Sequence, residues 1–329
     1  LTVSDFPDRN ELCDAFIDAA RQVGVPASAD FNGANQEGAG YYQNTTKNGL
    51  RADTAAAFLS PARRRPNLKI VTNALVTAIR FRQRRASGID YVLRKQQMSA
   101  KANAEILLSA GAIGSPQVLQ LSGVGDAKHL SEVGIAPVAD LPGVGANLQD
   151  HLQAQLVYRC RKPVTLNDDL RSSRRMAKML WRYVASRQGP IAGGPAPAGA
   201  FIRSSPDAGS ADIQIHFLPF SLSRPAVLDT FSGFTFNINQ SRPRSRGEIR
   251  IASADPEEPP LICPNYLSDP NDRETLVAGL RLGRKIAGAK ALDGYGEAEV
   301  KPGPDVCSDE DILDYIRKTA GSIYHPVGT

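Results

Sequence analysis

The sequence predicts a mixed α/β (α+β) chain in two modules, on three observations. First, AEILLSAGAIGSPQVLQLSGVG (residues 104–125) sets the apolar run Ile106, Leu107, Leu108 before small residues and a helix-like segment. Second, residues 68–71, 74–81, 88–94 and 104–109 read as four strands separated by polar turns, a meander feeding a buried strand. Third, Ile213, Ile215 and Phe217 alternate with Gln214 and His216, and Phe234, Phe236 and Ile238 repeat that period of two. Residues 248–251 add a third such run, so a later antiparallel sheet with one covered face is expected.

The remaining elements follow in chain order. Asn10 caps an amphipathic helix in which Leu12, Phe16, Ala20 and Val23 share a face, and Gly24 ends it. A Gly- and Asn-rich stretch, read without further context as a surface loop, leads to a helix near 54–59. In the 104–125 stretch Ile106–Leu108 is a strand buried on both faces, Ala110-Gly111-Ala112 allows close approach, Ser115 is the N-cap and Pro116 the first helical residue. Strand, small-residue turn and capped helix are the parts of a nucleotide-binding unit. In LPGVGANLQDH (141–151), Gly143 and Gly145 allow a turn, and Asn147 and Asp150 can bond local backbone. It is not a dinucleotide fingerprint, since no strand feeds it. His151 reads mainly as a structural residue of this loop, with contact to a cofactor as the lesser alternative. Residues 170–186 suit a helix, GPIAGGPAPAGAF is a connector, and Asp269 or Asn271 starts a helix through Leu276, Leu280 and Ile286. Ser308 with Asp311 forms a capping box for a last helix.

Composition narrows the function classes. With 42% hydrophobic and 22% charged residues, the 329 residues can bury a sizeable core. No run of about 18 apolar residues is present, so no membrane span is expected. Cys13, Cys160, Cys263 and Cys307 lie far apart without a CxxC pair, which speaks against zinc and for reduced thiols in a cytoplasmic setting. The net charge of +5 sits in clusters such as Arg63-Arg64-Arg65 and Arg174-Arg175. None is interleaved with aromatic residues, so nucleic acid is not an expected partner.

The chemistry is carried by two strings. Gly111-Ala112, Ser115-Pro116, Val118-Leu119 and Ser122-Gly123-Val124-Gly125 stand at the spacing of a signature of the glucose–methanol–choline (GMC) oxidoreductases. HPVGT (325–329) resembles the catalytic motif of the same family, and LPGVGANLQDH, DFNG and PRSRGEIRIASADPEEPP resemble further segments. The pattern is most similar to choline-dehydrogenase-like alcohol dehydrogenases.

That resemblance implies a portion of an FAD-binding domain at 1–150, a substrate domain at 151–306 and a return helix with the catalytic segment at 307–329. It implies FAD as cofactor, a primary alcohol or choline-like substrate oxidised at its CH–OH group, and oxygen or a quinone as acceptor. His325 becomes the catalytic base or oxyanion stabiliser, which suits the side chain whose unperturbed acidity lies nearest neutrality. Val76 (equally readable as an ordinary strand valine), Ala110, Gly111, Pro326 and Val327 become flavin-side residues, and His216 and Phe201 substrate-side residues. The family's strand–GxGxxG–helix unit and its segment after HPVGT are not found in these residues. The chain therefore corresponds to the middle of a family member, whose missing parts could stand on another chain. The alternative is a truncated, non-catalytic piece that keeps a substrate-type sheet and binds no flavin. A cytoplasmic location is implied, with peripheral membrane association left open.

Overall fold

A computed structural model describes all residues, 1–329. The chain forms two compact units, each assembled from three stretches. One unit comprises Leu1–Arg65, Leu152–Arg242 and Arg273–Gly321; the other comprises Pro66–His151, Pro243–Asp272 and Ser322–Thr329. This division departs from the sequence boundaries at 150 and 306. Residues 1–65 join the later unit because Gly38–Tyr41 pairs with Ala198–Ile202, giving the early segment a place at the edge of the later sheet.

The first unit is built on an antiparallel sheet in the order Gly38–Tyr41, Ala198–Ile202, Ile213–Leu218, Gly233–Gln240, Leu152–Cys160, Gly296–Lys301. Its register pairs Phe217 with Phe236 and Ile215 with Ile238, so the alternating residues face one side together. All six apolar residues of those two runs are buried. Phe16, from the helix Glu11–Gln22, stacks on Phe217 at 4.5 Å, and Phe217 meets Phe236 edge-on at 5.2 Å. Burial of each such ring contributes about 1.5–3 kcal/mol. The helix Pro270–Ala287 covers the same face, where Gly279 and Gly283 lie against Ile238 and Leu156. Asn10 caps the first helix through the Leu12 N–H, and the Ser308–Asp311 capping box opens Asp309–Thr319, both as the sequence indicates.

The second unit holds the meander Ala74–Arg82, Arg85–Leu93, Gln96–Lys101 and the helix Gly111–Leu121. Several sequence expectations are corrected here. Residues 68–71 are irregular and exposed, and the third meander strand is Gln96–Lys101, not foreseen. The run 104–109 is not a buried strand: it has no pairing partner, and Leu107 is 81% exposed. A strand buried on both faces needs neighbours at both edges, and no strand of this chain pairs with it. The helix starts at Gly111, a turn before the expected cap, because Ser115 lies within it and its Oγ reaches back to accept the Ala110 N–H. The region near 54–59 is a π-helical turn, Ala55–Leu59, and 170–186 is two helices, Leu166–Arg171 and Ser173–Ser186.

The third alternating run, Gly247–Arg250, belongs to this unit rather than the large sheet, pairing with Leu261–Cys263 and Ala146–Leu148. Gln120 draws it there. The buried Gln120 side chain donates to the Ile249 carbonyl at 2.9 Å and accepts the Ile251 N–H at 2.8 Å.

Of the two glycines in the 141–151 turn, only Gly145 is constrained. Its φ is +83°, and an added Cβ would stand 2.1 Å from the Ile249 carbonyl oxygen, whereas Gly143 faces open space. Gly145→Ala should destabilise by at least about 2 kcal/mol, and Gly143→Ala by less than about 0.5 kcal/mol. Urea midpoints of the two variants, at constant m-value, check the contrast.

Candidate active site

The second unit brings the end of the chain onto the 141–151 turn. Gln149 and Val327 exchange two backbone hydrogen bonds of 2.9 Å, forming an antiparallel bridge. Two residues away, Ile323 donates its N–H to the His151 carbonyl at 3.2 Å. Asn147 ties the far side: its Nδ2 donates to the Gly328 carbonyl at 3.2 Å, and its Oδ1 accepts from Arg246 Nε at 2.9 Å. Gly328 has φ +96°, and a Cβ there would meet the Asn147 carbonyl oxygen at 2.6 Å. The glycine of HPVGT is thus required by the close passage of two backbones.

Asp150 is the centre of this arrangement. Its carboxylate, 8% exposed, accepts from the Tyr266 hydroxyl at 2.5 Å, the Ser322 hydroxyl at 2.5 Å and the His325 N–H at 2.9 Å. Burial raises its pKa, but these donors together outweigh burial and hold it below the usual carboxylate value. Burial and donation to Asp150 push the Tyr266 hydroxyl up to about 12, so it remains a donor at neutral pH. The bonds of Asp150 are therefore mostly long-range, not the local ones the turn sequence suggests.

Asp150 precedes His151 and holds the backbone of His325, so it fixes where both rings begin. The result is a histidine pair: His151 Nδ1 lies 3.2 Å from His325 Nδ1, with ring centroids 5.3 Å apart and planes at 67°. A hydrogen bond between two Nδ1 atoms requires one proton between them, so one ring donates and the other accepts. The sequence reading gave His151 a mainly structural part. Its position beside His325 has no signal in the sequence, where 174 positions separate the two.

A second tie joins this segment to the 104–125 stretch. Pro116 has no N–H, which removes the intrahelical donor for the Ala112 carbonyl four residues earlier. Thr329 Oγ1 supplies that bond at 2.5 Å. HPVGT thereby ends on the first turn of Gly111–Leu121, next to Ala110 and Gly111. Val76 lies on the meander strand Ala74–Arg82, paired with Tyr91. His216 and Phe201 belong to the other unit, in neighbouring strands of the large sheet. There His216 packs on Tyr42 at 5.5 Å, and Phe201 packs on Phe31 at 5.2 Å.

Comparison with known proteins gives the family. The family description GMC oxidoreductase matches residues 1–153 and again 243–329. The chain belongs to the GMC oxidoreductases. It is 42% identical over its whole length to an alcohol dehydrogenase (acceptor) of Pseudomonas putida, covering 60% of that protein. Over 97% of its length it is 40% identical to oxygen-dependent choline dehydrogenase 1 of Chromohalobacter salexigens, covering 57% of it. Among solved structures, pyridoxine 4-oxidase from Mesorbium loti superposes with a TM-score of 0.85 at 27% identity, over 99% of this chain and 60% of that one. An Aspergillus oryzae formate oxidase, at 21% identity and a TM-score of 0.90, shares the fold. The chain thus spans about 60% of the length of these relatives. The mixed α/β class expected from sequence is the fold of these oxidoreductases.

The GMC oxidoreductases bind FAD, and the residues here fit one side of such a group. The apolar run 106–108, half-buried at Ile106 and Leu108 and exposed at Leu107, leads into Gly111, whose φ is +78° and whose Cβ position is open. The helix that follows has no side-chain cap on its first turn, and the exposed Val327 stands on the segment that Thr329 anchors there. An uncapped helix N-terminus beside exposed apolar surface suits a flat ring system carrying phosphates.

Asp150→Asn tests the clamp. At pH 7 it should cost about 1.5–3 kcal/mol, the range for hydrogen bonds to a charged group. Because the folded pKa is depressed, the carboxylate's contribution is present above the unfolded value and is lost as pH falls through the folded one. The gap between wild type and variant should therefore shrink below about pH 4. Denaturation at several pH values measures it.

Proposed function

We propose that this chain is part of an FAD-dependent oxidoreductase that oxidises the CH–OH group of a primary alcohol or choline-like substrate. The single observation that carries the reading is the His325–His151 pair, 3.2 Å apart on an Asp150-clamped HPVGT segment. Support comes from the relatives, an alcohol dehydrogenase (acceptor) and choline dehydrogenases. Oxygen or a quinone would be the acceptor.

Ala110, Gly111, Pro326 and Val327 would border the flavin, with Val76 on its meander side. When bound, FAD supplies a ring that accepts hydride from the alcohol carbon. The chain's own part is the hydroxyl proton. His325 Nδ1 is engaged with His151, which leaves Nε2 as the atom able to take that proton. For Nε2 to be free, the neutral ring must carry its proton on Nδ1 and donate it to His151 Nδ1. His151 is then the Nε2–H tautomer and the acceptor of the pair. Once Nε2 is protonated, His325 is an imidazolium whose Nδ1–H still points at a lone pair, which stabilises the charge. His151 is a positioning residue in this scheme. His216 and Phe201 would contribute to substrate affinity.

In the full-length parent protein, His325→Ala should lower turnover roughly 10²–10⁴-fold, the range for a positioned acid–base group. Flavin absorbance should be retained. His151→Ala should lower turnover by a smaller factor, and His129→Ala should leave it unchanged. Steady-state kinetics with a primary alcohol check this; wild-type turnover in flavin-loaded His325→Ala would make His325 structural.

A further inference from the structure

The helix Ser173–Ser186 is amphipathic, yet none of its residues is buried. Met176, Leu180 and Val184 follow one another at i, i+4 and i+8, with Ala177 and Trp181 beside them. A surface helix ordinarily turns such a stripe to the core. Here the neighbouring face makes the attachment instead. Met179, Arg182 and Tyr183 are half-buried; Arg182 grips Asp8 with bonds of 3.1 and 2.9 Å, and the Tyr183 hydroxyl donates to the Gly49 carbonyl at 3.3 Å. Arg175 is held by Asp169 and the Pro163 carbonyl. The stripe is left in solvent: Met176 is 38%, Leu180 48%, Trp181 71% and Val184 73% exposed.

The charge carried by the helix itself has one sign, and its acidic neighbours Asp8 and Asp169 are paired with Arg182 and Arg175. The helix contains no Asp or Glu, and the exposed Arg174 and Lys178 border the stripe beside Trp181. Arg187 follows the helix, and Gly49 of a two-strand hairpin packs directly on its carbonyl. That hairpin, Thr46–Lys47 with Leu50–Arg51, adds exposed Lys47, Leu50 and Arg51.

We propose that this face docks on an anionic lipid surface. The stripe enters the boundary between headgroups and acyl chains, Trp181 sits at headgroup level, and the cations meet lipid phosphates. Charge selects this occupant. A second copy of the chain would set Arg174, Lys178, Lys47 and Arg51 against like charges, and a neutral apolar groove would leave them unmatched. The inference does not depend on the chemistry assigned to His325.

Trp181 is the only tryptophan in the chain, so its emission reports on this face alone. The purified chain is titrated with vesicles of phosphatidylglycerol and phosphatidylcholine. The expected result is a blue shift of emission, quenching by brominated acyl chains, and partitioning at least tenfold weaker to phosphatidylcholine alone. Leu180→Glu/Val184→Glu and, separately, Arg174→Glu/Lys178→Glu should each weaken partitioning at least tenfold, with unchanged far-UV circular dichroism. Emission that anionic vesicles do not move overturns the proposal, even if the chain sediments with them. So does a lipid-free blue shift that grows with protein concentration, the mark of a second copy. Emission already blue in the longer parent protein, with the face covered by its own chain, overturns it equally.

Discussion

The candidate site depends on one buried carboxylate that is kept ionised. Removing Asp150 from water is unfavourable unless its oxygens are satisfied, and Tyr266, Ser322 and the His325 N–H satisfy them. Ser322 and His325 belong to the last segment of the chain and Tyr266 to a second stretch, so the carboxylate closes the end of the chain onto the 141–151 turn. Because His151 is the next residue along, the same group that holds His325 also places its partner ring. One carboxylate therefore sets the distance between two imidazole rings.

The other fixed point is a deliberate gap in a helix. Pro116 frees the Ala112 carbonyl, and Thr329 fills it. Gln120, one turn further on, binds the backbone of residues 249 and 251 and so positions the strand that supports Gly145. The helix Gly111–Leu121 thus organises the second unit through a missing donor near one end and a buried amide near the other. Gly145 and Gly328 are both required because backbone passes within van der Waals distance of each.

Much of the first unit was legible from sequence. Period-two alternation at 213–217 and 234–238 reports a half-buried sheet directly, and Asn10 and Ser308 announce helix starts through local hydrogen bonds. The run 104–109 misled for a physical reason: Ile106, Leu107 and Leu108 carry the composition of a buried strand, but burial depends on neighbours that composition does not reveal. Residues 248–251 show the same limit, since alternation specifies a face and not a sheet. At the site, HPVGT marked His325, whereas Asp150, Tyr266, Ser322 and His151 carried no local signal as a group. Their spacing is created by tertiary closure. Pro116 looks in sequence like a helix start; in the structure it frees the Ala112 carbonyl, a part that depends on Thr329 being in place.

The central claim is that Asp150 holds His325 and His151 as a hydrogen-bonded pair through Nδ1. Nitrogen-15 spectra of imidazole-labelled protein test it most directly. The account predicts one downfield ring proton correlated to two Nδ1 nitrogens, one from each histidine, and loss of that signal in Asp150→Asn. Two imidazoles with separate, uncorrelated ring protons, unaffected by Asp150→Asn, would contradict it.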